Sequence, residues 1–364
     1  ASRTQPDLIL LDIMMPGISG LDVLKDVRKR WSRAQLPVIM ATAKDSSEDI
    51  VKALKLGAND YVTKPIDFPV VNARVQTQLT MKRSFEHIQR LERQLSKQNE
   101  NLEEVNRRMR RDLEAAAIVQ QSGLPQASPK VSGVQFAWAY QPCSELGGDS
   151  MNIFQIDGRH VAVYVLDVSG HGVPAALLSV TLNRQIKPHL DGNSPVMEAQ
   201  PEPPGYAITP PATLAAKLNR SYPIDWEIQQ YFTVLYGLYD TVERQFRFVG
   251  AGHPGPVVVR AGDEAPAICD SPGYPIGIMP DAEYDECTIG LNPGDRLYLY
   301  SDGLIEQRNA SGKMFNRKLL LDFMKSIRSM TLGQSVHAMM DEVRKWASPN
   351  LPDDDLTVVA MEVV

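Results

Sequence analysis

Short apolar runs and amphipathic stretches alternate along the first eighty residues. Leu8–Leu11 is a continuous apolar run and reads as the core of a strand over 6–11, with Asp12 directly after it. Met15-Pro16-Gly17 turns the chain, and Leu21, Val23, Leu24 and Val27 then give an amphipathic stretch after Gly20. The pattern goes on to predict a strand over 36–40, a helix near 47–56, a strand at 61–62 and a helix from about 67. Strands and helices in alternation imply a parallel sheet with ligand chemistry at the carboxyl ends of its strands. Asp12, Thr42 and Lys64 each fall at such an end.

Over 81–119 the period changes. Charge, Gln and Asn rise, and neither Gly nor Pro interrupts. A heptad fits, with Met81, Ile88, Leu95, Leu102, Met109 and Ala116 at its a positions, and Ser84, Leu91, Gln98, Val105, Asp112 and Val119 at its d positions. An apolar a row beside a half-polar d row predicts a weak coiled-coil seam, best satisfied by a parallel homodimer; a single solvated helix is the alternative. The helix should end at Gly123-Leu124-Pro125. Beyond it, strand-like runs lie at 134–140, 161–166, 232–239, 245–249, 256–259, 296–300 and 356–363. Helix-like stretches lie at about 174–189, 212–221, 317–328 and 333–347. This mixture predicts an α+β layered sandwich. Residues 191–211 are Pro-rich without an apolar period and read as a mobile surface insertion, either a lid or an inert loop. Three regions result: 1–80, 81–121 and 122–364.

Composition narrows the function. The 364 residues, 43% hydrophobic and 23% charged, are those of a globular chain of two domains and a connector. A net charge of −6 gives no basic face for nucleic acid. No apolar run is long enough to span a bilayer, and no signal-peptide pattern opens the chain. The three cysteines, Cys143, Cys269 and Cys287, lack metal-site spacing and read as reduced thiols of a cytoplasmic protein.

Asp12 with Met15-Pro16-Gly17, Thr42-Ala43, and Tyr61 ahead of Thr63-Lys64-Pro65 together resemble the receiver domain of two-component response regulators, a flavodoxin-like α/β fold. The resemblance covers residues 6 to about 80. It implies that Asp12 is the phosphoacceptor, Thr42 the switch hydroxyl, Lys64 the phosphate's cationic partner and Tyr61 the rotating aromatic. A histidine kinase or phosphotransfer protein would donate the phosphoryl group. In the family the Lys–Pro bond is commonly cis, which only proline makes inexpensive. The family's phosphoacceptor closes the third strand. The first two strands, with the acidic pair that holds Mg²⁺, therefore have no counterpart here, and the strand carrying Asp12 would expose an apolar edge. We accordingly expect the sequence to be incomplete at its N-terminus.

In the second half, carboxylates recur at strand ends. Asp149 follows Leu146-Gly147-Gly148, and Asp167 closes Val161–Leu166 and opens Asp-Val-Ser-Gly-His-Gly over 167–172. Asp302 sits in Tyr300-Ser301-Asp302-Gly303, ahead of Leu304-Ile305-Glu306, and Asp354 in Asp354-Asp355-Leu356-Thr357. Carboxylates gathered from distant parts of a chain suit hard divalent cations, which take oxygen ligands. With Ala251–Pro256 and Pro275–Ile278 between them, these motifs resemble, in order, the PPM metal-dependent protein phosphatases of the SpoIIE/RsbU type over roughly 115–364.

That resemblance implies a site for two Mn²⁺ or Mg²⁺ ions, held by Asp149, Asp167, the Val168 carbonyl, Asp302 and Asp354, with Asp167 bridging. Asp355 competes with Asp354, which is assigned because it opens its motif. His171 and His253 either serve as general acids or shape glycine turns; the second reading is favoured. Asn152 stands where many relatives carry Asp, which bears on an outer contact only. The implied substrate is a phosphorylated anti-anti-sigma-like protein in a partner-switching pathway. The alternative is a non-catalytic phosphatase-fold adaptor for a sigma factor or its regulator, which the full carboxylate set disfavours.

Overall fold

The computed structural model describes residues 6–43, 47–189, 194–224, 230–262 and 265–364. Two units partition the chain, Ala1–Met109 and Arg110–Val364.

The first unit begins with β1 (Ile9–Asp12), α1 (Gly20–Arg30), β2 (Val38–Ala43), α2 (Ser47–Leu56) and β3 (Asp60–Lys64), and α3 (Phe68–Ser122) follows. The three strands form a parallel sheet in the order β1-β2-β3. The Ser19 side chain accepts from the Leu21 N–H and caps α1, while Asp22 in the first turn and Arg28–Arg30 in the last complement the helix dipole. Leu21 and Leu24 pack with Val38 and Met40 on one face of the sheet, as the amphipathic spacing requires. The Lys64–Pro65 peptide is cis.

No break separates the helix expected from 67 and the connector expected over 81–119; α3 runs unbroken for 55 residues. No Gly or Pro interrupts it after its first turn, so nothing in the backbone ends it earlier. Met81, Ile88, Leu91, Leu95, Leu102, Val105 and Met109 are each at least half exposed. All seven belong to the a and d rows of the heptad.

The second unit continues with β4 (Val134–Gln141), β5 (Ser150–Gln155), β6 (His160–Val168), α4 (Val173–Gln185), β7 (Met197–Ala199), β8 (Tyr206–Ile208), α5 (Pro211–Ser221), β9 (Phe232–Asp240) and β10 (Gln245–Ala251). Then come β11 (Val257–Val259), β12 (Ala267–Ile268), β13 (Cys287–Gly290), β14 (Arg296–Tyr300), α6 (Gly303–Glu306), α7 (Asn316–Ser326), α8 (Leu332–Ala347) and β15 (Leu356–Val363). Two five-stranded sheets form, β13-β10-β9-β6-β5 and β12-β11-β14-β15-β4. The period of two along each strand sorts residues between layers. Val161, Val163 and Val165 of β6 face Leu297 and Leu299 of β14 between the sheets. Ala162, Tyr164 and Leu166 turn instead to α4 and α5. On the other side, Tyr298, Val358 and Ala360 meet α7 and α8. The result is a four-layer α/β/β/α sandwich. Thr331 and Gln334 close a capping box at the start of α8.

The structure corrects the reading of 191–211 as a purely surface insertion. Its described part carries the β7–β8 hairpin, with Val196 and Met197 buried against the α5 layer; residues 191–193 lie outside the described set. Three-residue strands are too short to show a period, and the Pro-rich piece is the hairpin's turn, where the Gly205 N–H donates to the Glu202 carbonyl at 2.7 Å.

Candidate active site

Asp149 immediately precedes β5, and Asp167 is the penultimate residue of β6. Antiparallel pairing sets Ser150 opposite Leu166, so the two carboxylates come to the same end of one sheet. Asp302 follows β14, and Asp354 and Asp355 precede β15. Pairing of Tyr300 with Val358 brings these to one end of the second sheet. Thr357 links the sheets: its hydroxyl donates to Asp149 Oδ2 at 2.5 Å.

Each carboxyl raises its neighbours. Asp149 is 2% exposed, and burial, then the charges of Asp167 and Asp355, push its pKa well up. Burial pushes Asp167 up to about 8, with Asp302, Asp354 and Asp355 adding to the rise; its carboxyl also shares a hydrogen bond with Asp149. Asp302 is pushed up to about 6 by burial, then by Asp354 and Glu306. Asp354 is raised by burial and by Asp355 and Glu306, with His171 opposing. No lysine or arginine appears among the causes. Acids gathered at neighbouring strand ends, raising one another with no lysine or arginine beside them, suit a site completed by metal ions.

The donor set fits hard cations, being carboxylates together with a main-chain oxygen. A Cβ on Gly148 would stand 2.6 Å from the Val168 carbonyl oxygen and 3.2 Å from that of Gly170, so glycine there keeps this rim of carbonyls open. Gly170 and Gly172 have φ of 84° and 80°, the left-handed region that glycine adopts without strain.

Asp354 and Asp355 part company. Asp354 faces outward, whereas Asp355 is 2% exposed and accepts from the Cys143 N–H at 2.8 Å and the Asp149 N–H at 3.1 Å. Asp355 thus braces the loop that carries Asp149. The Cys143 sulfur and a carboxylate oxygen of each of these acids lie within 4.8 Å of one another, and burial beside Asp355 pushes the thiol up to about 12. Thr357, Cys143 and Glu306 were not singled out from sequence. The Asp-Asp-Leu-Thr and Ser-Asp-Gly-x-x-Glu motifs held the first and last, but Cys143 carried no signal.

His253 is buried, its Nδ1 accepting from the Thr233 hydroxyl at 2.7 Å and its Nε2 donating to the Tyr300 carbonyl at 3.1 Å. It pins β9 to β14, and burial holds its pKa down at about 3. His171 is exposed. Asn152 is buried and bonds Asn183 of α4 at 3.2 Å, and Asn183 in turn donates to Ser150 Oγ at 2.7 Å.

At the strand ends of the first unit, Asp12 and Lys64 form an ion pair, and the Met14 N–H donates to Asp12 Oδ1 at 3.1 Å. The Lys64 hydrogen bond leads the causes that hold the Asp12 pKa below its ordinary value. Thr42 is buried on β2 and pairs with Thr63. Tyr61 lies under the Arg74 guanidinium, 5.6 Å from the ring centre.

Residues 157–364 match the family model of stage II sporulation protein E (SpoIIE), more than half of the chain. The chain belongs to the SpoIIE family. Residues 1–76 match the response regulator receiver domain. This SpoIIE-family chain is therefore a response regulator with a phosphatase-type output domain. Among solved structures it resembles the SiaA-PP2C domain of Pseudomonas aeruginosa, with a TM-score of 0.59 and 20% identity over 71% of this chain and 98% of that one. It also resembles the RsbU and RsbW domains of Rv1364c from Mycobacterium tuberculosis, with a TM-score of 0.51 and 24% identity over 65% of this chain and 61% of that one. These likenesses establish the PP2C-type fold. Among the described residues no helix is long and apolar enough to cross a membrane.

Proposed function

We propose that the output of this response regulator is metal-dependent dephosphorylation of phosphoserine or phosphothreonine on a partner protein. The observation that carries the reading is the gathering of Asp149, Asp167, Asp302 and Asp354, from four places in the sequence, at neighbouring strand ends, where burial and neighbouring acids raise their pKa values and no lysine or arginine opposes the rise. These four and the Val168 carbonyl would hold Mn²⁺ or Mg²⁺, two ions per site. Asp167, which shares a hydrogen bond with Asp149 and feels the charges of Asp302 and Asp354, suits the bridging position. Bound ions would supply Lewis acidity toward phosphoryl oxygens and acidify an attacking water. The chain's own part is to hold the carboxylates in register. Thr357 orients Asp149, Asp355 braces the Asp149 loop, and His253 ties the two sheets together beneath them.

Asp12 is the phosphoacceptor in this reading, with a histidine kinase or phosphotransfer protein as donor, and with Mg²⁺ at the receiver where the acidic pair of the family's first strand is present. Lys64 is already paired with Asp12 and would pass to its phosphate. Thr42 and Tyr61 would report the change. The exposed a/d stripe of α3 would pair with a second copy as a parallel coiled coil. The regions are then a receiver over 1–80, a connector over 81–121 and a phosphatase domain over 122–364. The substrate in this reading is a phosphorylated anti-anti-sigma-like protein, in keeping with the match to the SpoIIE family. Hydrolysis of p-nitrophenyl phosphate before and after EDTA tests it. Loss on chelation and return with Mn²⁺ are expected. A protein that binds its phosphoprotein partner but hydrolyses nothing under any metal would be an adaptor instead.

A further inference from the structure

After Lys82, α3 has one fully buried side chain, and it is polar. Gln120 is 6% exposed, whereas its apolar neighbours Ile118 and Val119 are 70% and 53% exposed. A helix end that docked by the hydrophobic effect would turn those two inward, and a buried amide without partners is costly. Each polar atom of the Gln120 amide has a partner. Its Nε2 donates to the Gly147 carbonyl at 2.6 Å, and its Oε1 accepts from the Gly147 N–H at 3.3 Å. Both polar groups of a single residue are thus read by a single side chain.

Gly147 stands two residues before Asp149. A Cβ there would lie 2.4 Å from Asp355 Oδ2 and 2.4 Å from the Tyr140 hydroxyl, so this peptide is wedged against the carboxylate that accepts from the Asp149 N–H. The contacts run in sequence from Gln120 to Gly147, Asp149 and Asp355. On its other side Gln120 borders a polar cavity of about 150 Å³, also lined by Ser150, Ser179 and Asn183. The last turn of α3 is therefore not packed solidly on α4, and the amide clasp is what fixes it to the loop.

We infer that Gln120 is a positioning residue through which the end of α3 sets the geometry, and hence the metal affinity, of the Asp149 loop. The inference rests on the metal site proposed above and gives the connector a defined point of action on it. Shifting or rotating the last turn of α3 withdraws the clasp and loosens Asp149 before any carboxylate is touched.

The test is Mn²⁺ titration calorimetry on the full chain, for wild type, Gln120→Met, Gln120→Leu and Ile118→Ala. Met keeps the length of Gln and removes both hydrogen bonds. Loss of an outer support to a metal ligand weakens binding by roughly 10-fold or more, and that is expected of both Gln120 variants. Ile118→Ala, an exposed change on the same turn, should stay within about 2-fold. At saturating Mn²⁺ the Gln120 variants should recover most of the wild-type turnover, since the chemistry is unaltered. Leu differs in shape from Met, so whichever variant folds reports on the clasp. A folded Gln120 variant with wild-type Mn²⁺ affinity would overturn the inference, as would turnover that stays low at saturation. Wild type that binds no Mn²⁺ would overturn the metal site itself.

Discussion

Asp302→Asn should stabilise the metal-free protein while abolishing its chemistry. Burial, Asp354 and Glu306 raise the Asp302 carboxyl from 3.8 to about 6. Because the folded value lies above the unfolded one, the native state binds the extra proton between those pH values. Stability is therefore full below about pH 4 and falls as pH rises through 6. The full shift corresponds to about 3 kcal/mol, which solvent screening at this part-buried group reduces to about 1–2 kcal/mol. Asn cannot ionise, so it escapes the penalty. Urea unfolding in EDTA should show Asp302→Asn more stable than wild type by about 1–2 kcal/mol at pH 7.5, with the gap closing toward pH 4. Added Mn²⁺ should reverse the order, because wild type gains binding energy that the variant forgoes. A variant less stable than wild type by the same amount at both pH values would refute the reasoning.

Three further outcomes follow from named contacts. Thr357→Val removes the hydroxyl bond to Asp149 and should raise the Mn²⁺ concentration for half-maximal activity by roughly 10-fold, read from a metal titration. His253 titrates near 3 when folded, against 6.5 when exposed, so its contribution is present above pH 6.5 and drains away as pH falls. His253→Asn should lose stability at pH 7, and urea unfolding should show its deficit relative to wild type shrinking by about 3 kcal/mol at pH 4.5. Leu95→Asp with Leu102→Asp places charge on the exposed stripe of α3 and should convert a dimer into a monomer in sedimentation velocity, with the far-ultraviolet circular dichroism retained.

Much of the architecture was legible because long strands repeat their period of two several times. The runs expected over 296–300 and 356–363 are β14 and β15, and Asp167, Asp302 and Asp354 lie at the ends of strands that were expected. Elements too short to repeat their period were not legible: β7 and β8 in the Pro-rich stretch, β12, and the single turn of α6. β5 escaped for a different reason. Its Ser150 and Asn152 are polar yet buried, because Asn183 of α4 satisfies them, and a hydropathy pattern cannot show a partner 30 residues away. The same limit hides the roles of neighbours. Asp354 and Asp355 are alike in sequence and differ only in what they face. Gln120 sits outside the heptad's a and d rows, and nothing in its spacing distinguishes it from the exposed glutamines before it.

The most direct measurement is phosphate release from a phosphoserine peptide, with and without Mn²⁺, by wild type and Asp302→Ala. Release by wild type that requires Mn²⁺ and is lost in a folded Asp302→Ala is the expected result. Equal release by the two proteins, or release that persists in EDTA, would contradict a metal-dependent phosphatase built on these carboxylates.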